Sequence, residues 1–158
     1  MSAHTIIDTA PIGSVIAWSD GTPQPPARFN KKLAAWQTNN STGRLVRKQG
    51  ERGVGNIPRQ ACFTLHEADY SAGGVIAIRV HRTFSVESRL QFTVVERPAI
   101  GAVRVFDRAG DDAELVYLAA NEADAKEWLT RHGYPRALLE EVTADEVGAD
   151  AVEGRAVA

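Results

Sequence analysis

At 158 residues the chain has the length of one domain, and 44% hydrophobic residues with three Trp and five Phe are enough for an ordinary packed core. A single cysteine excludes an intrachain disulfide, no apolar run approaches the roughly 18 residues needed to cross a bilayer, and the first residues lack the basic and apolar regions of a signal peptide. The formal charge of -2 conceals strong sorting: Arg28 to Arg59 holds eight bases against the one acid Glu51, whereas Asp107 onward holds thirteen acids against five bases.

Val15–Trp18 reads as a short strand stopped by the turn-forming run Ser19–Pro23. Pro26 suits the first turn of a helix, which the pattern extends from Ala27 to Thr38. Phe29, Leu33 and Trp36 form its apolar stripe, which assigns Trp36 to the core rather than to a stacking platform. Asn39–Gly43 ends that helix, with Gly43 in a left-handed position. Arg44–Lys48 then reads as an edge strand, and Gln49–Asn56, rich in glycine, as a mobile basic loop.

Strands follow at Cys62–His66 and Val75–Val86, the second continuing through a tight turn at Glu87–Ser88 into Leu90–Val94 as a hairpin. Ile100–Phe106 and Glu114–Ala119 form another hairpin around Asp107–Asp112. Asn121 caps a helix whose stripe is Ala125, Trp128, Leu129 and His132, and Pro135 opens a last helix carrying Leu138, Leu139 and Val142. The expected fold is α+β: a curved antiparallel sheet of about five to six strands, one N-terminal helix and two C-terminal helices. Residues 6–147 form one domain, with a disordered acidic tail at 148–158.

Catalytic and metal chemistry is weakly signalled. The glycine run has neither phosphate-loop nor dinucleotide spacing, and Ile57-Pro58 follows it where a helix would have to begin. Cys62 and His66 share a strand face but stand about 13 Å apart, so His81 would have to activate the thiol, with Glu67 or Asp69 as orienting group. His66 and His81 with those acids lack a recognised metal spacing, and Asp107, Asp111 and Asp112 lack that of a calcium loop. No cofactor is implied. The acidic C-terminal part is interrupted by Lys126, Arg131 and Arg136, which weakens any mimicry of nucleic-acid charge.

The basic segment carries the leading expectation: a non-enzymatic, cytoplasmic module docking on nucleic acid or a nucleoprotein through Arg28, Lys31, Lys32, Arg44, Arg47, Lys48, Arg52 and Arg59. The competing reading of these charges is a solvated face paired with C-terminal acids such as Glu140, Glu141 and Asp145. Two other classes stay open, an anti-defence inhibitor binding a host nuclease or CRISPR effector and a small Cys/His-dependent enzyme.

The runs Trp18-Ser-Asp-Gly-Thr-Pro23, Pro26 to Trp36 and Asn40-Ser-Thr-Gly-Arg-Leu45 resemble small uncharacterised accessory proteins of proteobacterial plasmids and integrative elements. The resemblance covers about the first two thirds of the chain. It implies a context of transfer, maintenance or defeat of host defence, and no residue roles.

Overall fold

The computed structural model describes residues 1–72 and 75–145. The tail expected at 148–158 lies outside the described residues. Helix α1 (Ala3–Thr9) opens the chain; Ser2 caps it by accepting from Thr5 N, and Ala3 and Ile6 are fully buried. Strand β1 (Val15–Ser19) follows, then helix α2 (Asn30–Thr38) and strand β2 (Ser41–Gln49). A small two-stranded hairpin, β3 (Arg52–Val54) and β4 (Ile57–Arg59), precedes the long strands β5 (Cys62–Ala72) and β6 (Val75–Ser85). The rest is β7 (Gln91–Glu96), β8 (Val103–Phe106), β9 (Leu115–Ala119), α3 (Glu122–Arg131) and β10 (Leu138–Glu141). Among these elements no helix is long and apolar enough to cross a membrane.

The fold is α+β, as the alternation of patterns implied, but its strands form two sheets and a ribbon. An antiparallel sheet of order β6-β5-β2-β1-β7 is joined by a three-stranded sheet of order β10-β8-β9, and β3-β4 stands apart. The hairpin expected at 75–95 is not formed. β6 instead pairs with β5, and β7 crosses to the far edge beside β1.

Only residues 86–90 link those two edges, and they begin with a turn closed by Ser88 N donating to Ser85 O, too short a link for an open flat sheet, so the sheet curls and brings its margins together. The rings record that closure: Phe84 of β6 lies 5.2 Å from Phe92 of β7, and Phe63 touches both. Trp18, 5.2 Å from Phe84, completes the aromatic lining. Ala3, Ile6 and Ala10 join this core from α1, whose entry is fixed by Phe92 N donating to Met1 O.

Three further expectations are corrected. Helix α2 begins at Asn30 rather than Ala27 and buries no residue; Phe29 is exposed and Trp36 half-buried, with its indole N–H donated to Thr22 O. Gly43 does not end a helix but sits inside β2, where an added Cβ would lie 2.9 Å from Leu65 Cβ. Residues 138–141, expected as helix, form β10, because β8 offers an unsatisfied ladder that local propensity ignores.

The β8–β9 hairpin and the Asn121-capped helix form as read. Val103 and Val105 pack beneath Ala125 and Trp128 of α3. A third apolar cluster of Val46, Phe106, Ala113 and Leu115 joins the two sheets.

A candidate nucleic-acid interface on a basic β-ribbon

The basic segment divides among three elements. Arg28, Lys31 and Lys32 are exposed on and just before α2, where Arg28 and Lys32 lie 4.9 and 5.2 Å from the centroid of the Phe29 ring. Arg44, Arg47 and Lys48 are partly buried on β2. Arg52 and Arg59 stand opposite one another in the β3–β4 hairpin. The register unites the last two groups: Gln49 pairs with Cys62, and Arg52 with Arg59 continues the same antiparallel course. β2, β3, β4 and β5 are thus one long ribbon, its base woven into the large sheet and its far end free of it.

At the base, cross-strand pairing sets side chains in ranks. Arg44 on β2 pairs with His66 on β5, which pairs with His81 on β6, so the three share one face of the sheet. The His66 and His81 rings are 5.4 Å apart. Together with Arg79 they form one wall of a cleft of about 380 Å³, whose other wall includes Tyr117, Trp128 and His132. Those three rings are stacked, with Trp128 4.9 Å from Tyr117 and 4.0 Å from His132. The Tyr117 hydroxyl donates to Asp124; burial, and then that hydrogen bond, raise its pKa above the ordinary value of 10.0. His81 also borders a second recess beside Trp36, Asn40, Ser41 and Arg82.

Glu114, at the start of the β9 hairpin arm, settles the pairing of Arg47. Its carboxylate lies 3.5 Å from Arg47 Nη2 and 2.9 Å from His81 Nε2, with all three side chains 24–30% exposed. Arg47 is therefore tied to an acid of the second sheet, not to Glu140, Glu141 or Asp145. Arg44 donates to Gly13 O at 2.5 Å. Glu140 pairs instead with Arg104, whose side chain is only 2% exposed and whose Nε donates to Ile12 O. Of the bases in the segment whose side chains are described, Arg28, Lys31, Lys32 and Arg59 are the exposed ones.

Neither Arg104 as a buried strut nor Glu114 as a bridge was legible in the sequence, since each depends on strands distant in the chain. Arg79 and Arg82 also fell outside the basic segment; their place on a strand rich in alternating apolar residues was the available signal. Arg82 crosses the large sheet's rim to donate to Thr38 O and lies 5.8 Å from the Trp18 ring centroid.

Cys62 pairs in register with Gln49 and Ser85, and its Sγ donates to Gln49 Oε1; His81 stands opposite His66, so neither register neighbour of the thiol is an imidazole. Among the described residues no three His, Cys, Asp or Glu side chains converge on a point that could hold a metal ion. Asp107 serves its own hairpin by accepting from Glu114 N.

No curated protein and no solved structure matches the chain. A family does, over residues 1–146, and it embraces nearly all of the fold described above. The chain belongs to the family described as uncharacterised conserved protein UCP036055.

Proposed function

We propose that the protein is a non-enzymatic module that docks on the phosphate backbone of nucleic acid, working in the cytoplasm as an accessory factor of a mobile element. The observation that supports this reading is the basic ribbon: Arg44, Arg47, Lys48, Arg52 and Arg59 lie along β2, β3 and β4 with the one acid Glu51 between them, while β5 adds Glu67 and Asp69. Exposed Arg28, Lys31 and Lys32 extend the same sign of charge onto α2. Phosphates are attracted by such an array through charge and counterion release, with no base recognition required. Arg47 adds little of its own, since Glu114 already answers it, so the exposed bases carry the docking.

Fluorescence anisotropy with duplex DNA, single-stranded DNA and RNA across a salt series tests the proposal. A site neutralising four to five phosphates gives a log–log slope of about -4 on duplex DNA. Absence of binding at low salt, together with recovery of a nuclease-resistant, stoichiometric protein partner from a bacterial lysate, would instead support the inhibitor of a host nuclease or CRISPR effector.

A further inference from the structure

We infer that the β3–β4 end of the ribbon is an arm that enters the minor groove of duplex DNA and inserts Ile57 as a wedge between base pairs; this rests on the docking reading above. The arm begins beyond the Gln49–Cys62 pair and ends at Gly55-Asn56, a reach of about 20 Å at strand rise. That exceeds the roughly 7.5 Å depth of the minor groove, whose width of about 6 Å admits the ribbon's tip where a kink toward the major groove opens it. A bare two-stranded hairpin is marginal in water, and among the described residues none of the arm belongs to any of the three apolar clusters. Residues 55–60 are all exposed.

Its tip is nonetheless well specified. Val54 pairs with Ile57, leaving Gly55-Asn56 as a two-residue loop in which Gly55 has φ +63° and Asn56 has no positive φ. That is the pattern of a type II′ turn, whose twist suits a hairpin. The turn delivers Ile57, at 71% the most exposed of the large apolar side chains among the described residues, with Pro58 behind it. An apolar side chain held that far from any core gains nothing from folding. Its surroundings identify what would cover it, because Arg59 follows in the chain and Arg52 stands across from Arg59.

An apolar tip two residues from the exposed Arg59 on a narrow ribbon matches the chemistry of a stacked, polyanionic duplex: the cation meets a phosphate at the groove's rim while the aliphatic group enters the gap between unstacked bases. Wedges of this kind kink DNA by about 20–90°, most easily at flexible pyrimidine–purine steps.

The test uses the full chain and a duplex of about 30 base pairs with a central TA step, donor and acceptor dyes at its ends and a fluorescent base analogue at the step. Binding should raise energy transfer between the ends and brighten the analogue as it unstacks. Ile57→Ala should bind within about threefold of wild type with the same salt slope, yet leave the duplex straight and stacked. Because Ile57 lies outside every core, circular dichroism should show that variant folded. Wild-type binding without bending or unstacking would overturn the wedge and leave the docking reading intact. So would bending by Ile57→Ala equal to wild type, or a clear preference for single strands. Failure to bind any nucleic acid at low salt would overturn the docking reading itself.

Discussion

Glu114→Gln separates what the Glu114 bridge does for the fold from what it does to the docking surface. The carboxylate bridges Arg47 of β2 and His81 of β6 from the second sheet, at 3.5 and 2.9 Å. Fully exposed pairs contribute at most about 1 kcal/mol, and breaking a fully buried pair costs about 3–5 kcal/mol. With the three side chains about a quarter exposed, and glutamine keeping one acceptor, the expected loss is about 1–2 kcal/mol. For a chain of this size that lowers Tm by about 3–6 °C in a thermal denaturation followed by circular dichroism.

The same change should strengthen binding to DNA, because a negative charge leaves the edge of a basic surface. A phosphate about 8 Å away would feel roughly 0.5 kcal/mol in water, a gain of about twofold at low salt. A Tm unchanged within error would show that Glu114 does not tie the sheets. Weaker rather than stronger binding would show that it does not oppose the ligand, and the placement of the docking surface would be refuted.

Arg47→Glu should cost about 2–3 kcal/mol by setting a second carboxylate against Glu114, whereas Arg59→Glu should stay within about 0.5 kcal/mol; urea denaturation of the two variants makes the comparison. Gly43→Ala should destabilise by about 1–3 kcal/mol, since its Cβ would press on Leu65 Cβ at 2.9 Å and His66 O at 3.1 Å, and the β2–β5 ladder must open to admit it; the urea midpoint reports the loss. Tyr117 should ionise above the ordinary tyrosine value of 10.0 in a spectrophotometric titration, and Tyr117→Phe should remove that late step. Its folded pKa is raised, so the stability it contributes is complete below the unfolded value near 10 and is lost as pH rises through the folded one.

Local chemistry was enough to recover some elements. Asn121 announced α3 because a cap and an apolar stripe act within a few residues, and Phe63/Leu65 alternation announced β5 for the same reason. Partnership was not legible: Ile76, Ile78 and Val80 mark a strand, but nothing in them says that β7 will lie at the opposite edge. Leu138-Leu139-Glu140-Glu141 suits a helix by propensity and becomes a strand because β8 supplies the ladder. Helix α1 carried a readable signal in Ser2 and the Ala3, Ile6, Ile7, Ala10 spacing. The basic segment was visible as charge, but its division into exposed bases and the internally paired Arg47 required Glu114, fifty-odd residues beyond the ribbon's tip.

The most direct test of the central claim is the change in salt dependence when the exposed bases are removed. Arg28, Lys31, Lys32 and Arg59 lie outside every core cluster, so replacing all four with glutamine should leave the fold intact. If they neutralise phosphates, the slope on duplex DNA should fall from about -4 toward zero, by about 0.9 for each phosphate that is no longer neutralised. A folded quadruple variant that binds with an unchanged slope would contradict the account.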